Sequence, residues 1–161
     1  MDLRLLERQT DPVVIVGFFD LAGFANWCVG RPPQEILSLA TNLFTRISDA
    51  LEQANGTLVK AIGDAGLFVF PADAPDETVT ALLEIKEQTD RWLEECGYPE
   101  KMAIKLTVGP VACGMVGASG DQRLDIYGET VNNAAMMRGE GFHMSDALKD
   151  ILSDDTKRMI G

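Results

Sequence analysis

Hydrophobic positions along this chain follow two alternating periods. Val13 to Asp20 (VVIVGFFD) is an unbroken apolar, β-branched run closed by an acid, as expected of a central strand covered on at least one face. A loop rich in glycine and proline follows, LAGFANWCVGRPPQE. From Pro33 the period becomes helical: Ile36, Leu37, Leu39, Ala40, Leu43, Phe44, Ile47 and Leu51 fall on one stripe. Gly56, in ANG, offers the left-handed stop.

The next stretch, VKAIGDAGLFVF, predicts a hairpin: strand Thr57 to Ile62, turn Gly63-Asp64, strand Gly66 to Phe70. A second helix is expected from Asp76 to Cys96, with acids in its first turn and Gly97 at its end. Met102, Ile104, Leu106 and Val108 then alternate as a strand, and Gly109-Pro110 turns the chain into another, Val111 to Val116. A short helix (Val131 to Met137), a strand (Phe142 to Met144) and a helix opening at Ser145 complete the pattern.

The order β-α-β-β-α-β specifies an α+β fold, the ferredoxin-like split β-α-β arrangement. It comprises a palm-type antiparallel sheet, helices on one face and an extra β-hairpin arm. In that topology the first strand runs antiparallel to the third. Asp20, ending the first strand, is therefore expected beside the turn that holds Asp64. With no linker or repeat, residues 1–161 read as one domain.

Composition narrows the function. The net charge is −11, from 14 Lys+Arg against 25 Asp+Glu, which argues against binding nucleic acid through its phosphates. A small nucleotide is compatible, because a divalent cation supplies the missing positive charge. The apolar run VVIVGFF is too short to span a bilayer, and MDLRLLERQTDP lacks a signal-peptide core. A cytoplasmic chain with no targeting segment and no direct membrane insertion is expected. Cys28, Cys96 and Cys113 have no metal-ligand spacing and read as reduced thiols.

Two carboxylates brought together at one sheet edge repel unless a cation neutralises them, and a hard divalent ion prefers such oxygens. LAGFA, after Asp20, offers glycine and backbone N–H groups that can cradle phosphate. Metal and phosphate together suggest phosphoryl chemistry.

FFDLAGF (Phe18 to Phe24), VKAIGD (Val59 to Asp64), GPVACGMVG (Gly109 to Gly117) and LDIYGETVNNAA (Leu124 to Ala135) resemble, in order, the motifs of class III nucleotidyl cyclases. These enzymes make cyclic AMP or cyclic GMP from the nucleoside triphosphate. The resemblance implies that Asp20, Asp64 and the carbonyl of Leu21 hold two Mg²⁺ or Mn²⁺ ions, and that Gly23 and Phe24 offer N–H groups to the β- and γ-phosphates. It implies that Lys60 and Asp125 read the base. A lysine donor for N1 and a carboxylate acceptor for the 6-amino group match adenine, whereas guanylyl cyclases typically place Glu and Cys there. Lys60 and Asp64 share a hairpin, so base and triphosphate are expected to reach that same hairpin. Asn132 matches the asparagine that orients the ribose; taken alone it reads as a polar residue on an exposed helix face. In that family the metal acids and the asparagine come from different subunits, so the resemblance implies a homodimer, or a heterodimer with another cyclase chain.

The sequence departs from the family in three places. The arginine expected four residues after Asn132 is Met136, and Arg138 would face away, about 200° around the helix. A basic residue often found at the start of the fourth strand falls at Ala103, with Lys101 and Lys105 on the same strand face as substitutes. The terminal strands that carry a triphosphate-binding lysine have no counterpart before Gly161. The primary expectation is a metal-dependent adenylate cyclase that converts ATP to cyclic AMP and pyrophosphate. The alternative is an impaired relative that senses nucleotide or dimerises. His143, the methionines and Ser153 to Asp155 are read as a strand residue, packing residues and a solvated helix end.

Overall fold

A computed structural model describes residues 1–160. The elements run α1 (Leu3–Glu7), β1 (Val13–Leu21), α2 (Phe24–Cys28), α3 (Pro33–Gln53), β2 (Thr57–Ile62), β3 (Ala65–Pro71), α4 (Pro75–Glu95), β4 (Met102–Pro110) and β5 (Ala112–Ala118). They continue through β6 (Asp121–Tyr127), α5 (Glu129–Met136), β7 (Phe142–Met144), α6 (Asp146–Asp150) and α7 (Asp154–Met159). The main sheet has the order β2-β3-β1-β4-β7, with β1 antiparallel to both neighbours and β7 parallel to β4. Strands β5 and β6 form the separate two-stranded arm.

Alternation along β1 sends side chains to two apolar layers. Ile15 and Phe19 join Phe68, Phe70, Ile104 and Leu106 beneath the stripes of α3 (Leu43, Ile47, Leu51) and α4 (Leu82, Leu93). Each buried aliphatic or aromatic side chain here contributes about 1.5–3 kcal/mol. Val14 and Val16 face the other way, with Leu67 and Val69, against Leu6 of α1, Val111 and Ile126 of the arm segment, and Ala134 of α5. The long helices thus share one face, while two short helices and the arm partly cover the opposite one.

Two glycines make the sheet–helix layer possible. A Cβ on Gly17 would lie 2.2 Å from the ring of Phe68, and one on Gly66 would lie 2.2 Å from the ring of Phe19. Each aromatic ring fills the space of the missing side chain on the adjacent strand.

Several boundaries differ from expectation. The loop after β1 contains the helical turn α2, and α1 and β6 have no strong period of their own. Met137 is extended (φ −59°, ψ 134°), so α5 ends at Met136. Arg138 is therefore off the helix, and the helical-wheel reason for turning it away does not apply. Ser153 to Asp155 opens a helix: the hydroxyl of Ser153 accepts the Thr156 N–H as the N-cap of α7. Among the described residues, no helix is long and apolar enough to cross a membrane.

Candidate active site

The end of β1 and the β2–β3 turn meet as strand order requires. Phe19 pairs with Gly66, which brings the next residues of β1 alongside the turn. Gly63 takes φ +62°, the left-handed conformation that lets the hairpin close tightly. The N–H of Leu21 donates to Oδ2 of Asp64 at 3.3 Å. Asp64 is thereby fixed against the backbone of the residue that follows Asp20. The second oxygen of that carboxylate, the Asp20 carboxylate and the Leu21 carbonyl are all hard oxygen donors, the set a Mg²⁺ or Mn²⁺ ion takes. Among the described residues no three acidic, histidine or cysteine side chains converge on one point. Two carboxylates with a carbonyl still fit an ion that keeps water and phosphate as its remaining ligands.

Asp20 also has a cation partner. Its Oδ2 accepts a hydrogen bond from Nζ of Lys105 at 2.8 Å. Of the two lysines offered in place of the missing basic residue at Ala103, only Lys105 enters the site. Lys101 is exposed, and its backbone carbonyl accepts the Ala22 N–H at 3.2 Å.

Lys60 and Asp125 form a second cluster. Nζ of Lys60 lies 2.6 Å from Oδ2 of Asp125 and 5.4 Å from the ring centroid of Tyr127. Oδ1 of Asp125 accepts the N–H of Ile126 at 2.8 Å. Asp125 is only 8% exposed, so this ion pair and the amide together compensate a carboxylate removed from water. A register shift between Leu58 and Lys60 in β2 accompanies this arrangement. The shared hairpin therefore serves two clusters: Lys60 pairs with the arm, and Asp64 with the end of β1.

The turn after Asp20 is held from below. Gly23, at φ +70°, precedes Phe24, the first residue of α2. The hydroxyl of Tyr98 donates to the carbonyl of Ala22 at 2.6 Å. Tyr98 packs at a tilt against Trp27, which in turn stacks on Phe24, with centroids 5.4 and 6.0 Å apart. Burial, then the charge of Asp64 and smaller contributions from Cys28 and Glu100, push the phenol pKa up to about 12. It remains a donor at any physiological pH. Nothing in the local sequence marks Tyr98 as part of the site, apart from its place after the helix-ending Gly97.

Asn132 lies elsewhere. The hydroxyl of Thr130 donates to the Pro110 carbonyl at 2.7 Å, and Pro110 pairs with Val13 at the start of β1. Asp20 is toward the far end of that strand, about 23 Å away at ~3.3 Å per residue. One chain thus anchors α5 and the two acids at opposite ends of β1. Asn132 and Met136 are exposed, Met136 at 76%.

The sequence profile described as the adenylate and guanylate cyclase catalytic domain matches residues 6–159. The receptor-type guanylate cyclase gcy-23 of Caenorhabditis elegans is 26% identical over 91% of this chain and 15% of its own length. The chain spans 15–23% of the length of the first curated relatives it matches. The crystal structure of the guanylyl cyclase Cya2 superposes with a TM-score of 0.79 at 21% identity, over 90% of this chain and 80% of Cya2. A bacterial light-regulated adenylyl cyclase does so with a TM-score of 0.78 at 21% identity, over 89% of this chain and 46% of that one. With the profile match running from α1 through α7 over this sheet order, the chain belongs to the family of adenylate and guanylate cyclase catalytic domains.

Proposed function

We propose that this domain is an adenylate cyclase, converting ATP to cyclic AMP and pyrophosphate between two copies of the chain. The observation that carries the choice of ATP is the pair Lys60–Asp125, 2.6 Å apart. Opened by an inserted base, it presents one donor and one acceptor side by side. Adenine offers the complementary acceptor (N1) and donor (6-amino group); guanine presents the opposite order at that edge.

Asp20, Asp64 and the Leu21 carbonyl would hold Mg²⁺ or Mn²⁺, two ions by the resemblance. Bound there, divalent ions neutralise the triphosphate and favour ionisation of the ribose 3′-hydroxyl. Gly23 and Phe24 offer backbone N–H groups to the β- and γ-phosphates, on a turn that Tyr98 holds in place. By the resemblance, base reading (Lys60, Asp125) and ribose orientation (Asn132) come from one copy and the acids from the other. Base and triphosphate then reach the hairpins of two different copies, not the one hairpin expected from sequence. The separation of Asp20 from the α5 anchor along β1 supports a site divided in this way.

The alternative is a nucleotide-sensing or dimerising domain that has lost turnover, favoured by one observation: the exposed residue at the expected arginine position is Met136. One assay separates the two. The purified chain, incubated with ATP or GTP and Mn²⁺ across a dilution series, should form cyclic AMP with a specific activity that falls on dilution. Product no greater than that of an Asp20→Ala control would eliminate the enzyme. A rise in Tm with Mn²⁺ and a non-hydrolysable ATP analogue, without product, would establish the sensing domain.

A further inference from the structure

Lys105 sits in the middle of β4 with only 14% of its side chain exposed, and its ammonium is 2.8 Å from Asp20. Register makes the pair. Asp20 stands opposite Ala103, and Lys105 opposite Phe18, so Lys105 is the diagonal neighbour of Asp20 on one sheet face. Diagonal neighbours are about 7–8 Å apart, within reach of a long side chain. Ala103, directly across from Asp20, has no side chain beyond Cβ to block the approach. A cation so little exposed needs an anion near it, whatever else binds.

We infer that Lys105 is the built-in counter-ion of Asp20 and a mobile contact to the triphosphate. It holds the carboxylate while nucleotide is absent, yields it to the divalent ion, and turns its ammonium to a phosphate oxygen. The inference rests on the metal role proposed above for Asp20. It has a thermodynamic consequence. Metal arriving alone must break an ion pair and leave Lys105 without its anion. Metal arriving with triphosphate leaves Lys105 a new one. Metal and nucleotide therefore bind with positive coupling, and Lys105 is one source of it.

The test follows free Mn²⁺ by its electron paramagnetic resonance signal as the ion is titrated into the full chain. Titrations are made with and without a non-hydrolysable ATP analogue. In Lys105→Met, Mn²⁺ alone should bind about 2–5-fold more tightly than in the wild type, and the analogue should enhance Mn²⁺ binding by a smaller factor. Lys105→Gln, which serves if the apolar variant folds poorly, should show the same tightening and the same smaller enhancement, and Lys105→Arg should keep the wild-type pattern. Unchanged or weaker Mn²⁺ binding in the uncharged variants, or an undiminished enhancement by the analogue, overturns the role of Lys105. If folded wild type and variants all fail to bind Mn²⁺ with the analogue present, the metal role of Asp20 falls first and the inference with it.

Discussion

Lys60 on β2 and Asp125 on β6 belong to different sheets, yet their charged atoms lie 2.6 Å apart. Each satisfies the other, and the Ile126 amide takes the remaining carboxylate oxygen. In the proposed role, a base inserted here exchanges one ion pair for two hydrogen bonds, one to each partner. The exchange is favourable only when the base carries donor and acceptor in the matching order, because a mismatch leaves a buried carboxylate facing another acceptor.

The double substitution Lys60→Glu with Asp125→Cys should therefore reverse the preference. Activity with ATP, as kcat/KM, should fall about 10²-fold or more while activity with GTP rises. Parallel measurement of cyclic AMP and cyclic GMP checks this. Retained preference for ATP would remove the pair from base selection.

The proposed division of the site between two copies is open to complementation. Asp20→Ala and Asn132→Ala should each be inactive alone. Mixed in equal amounts and allowed to exchange subunits, half of the dimers would carry one intact site, restoring about a quarter of wild-type activity. No recovery, with exchange confirmed by a labelled subunit, would argue against the shared site.

Met136, exposed on the last turn of α5, occupies the position where the resemblance expects an arginine that would, in the proposed reaction, meet transition-state charge. Met136→Arg should raise kcat about 10²–10³-fold with little change in KM. An unchanged kcat would mean that another cation already serves.

Tyr98→Phe deletes the donor to the Ala22 carbonyl and should cost about 1 kcal/mol of stability. It should also raise KM for the metal–nucleotide complex more than a distant substitution of equal cost. The phenol titrates at about 12 in the folded chain and near ~10 when unfolded. Between those values the unfolded state has already lost the proton, so the contribution of Tyr98 to stability is intact below about 10 and disappears as pH rises toward 12. Denaturation across this window should show a steeper loss for the wild type than for Tyr98→Phe.

Sequence alone determined the sheet and the meeting of Asp20 with the Asp64 turn. Long apolar periods fix which face of each element is buried, and the split β-α-β order leaves few ways to pair the strands. The weak elements were not legible as periods: α1 buries only Leu6, α2 buries no side chain, and β6, the second strand of the expected arm, is mostly exposed, so none carries a continuous apolar face. Three relationships depended on tertiary structure. Lys60 faces Asp125 through the placement of the arm, Lys105 reaches Asp20 across the small Ala103, and Tyr98 holds Ala22 from 76 residues away. Each is a polar contact between elements distant in sequence. A periodic pattern shows which face of an element is covered, but only the packed chain decides which charged or hydroxyl group stands across from it.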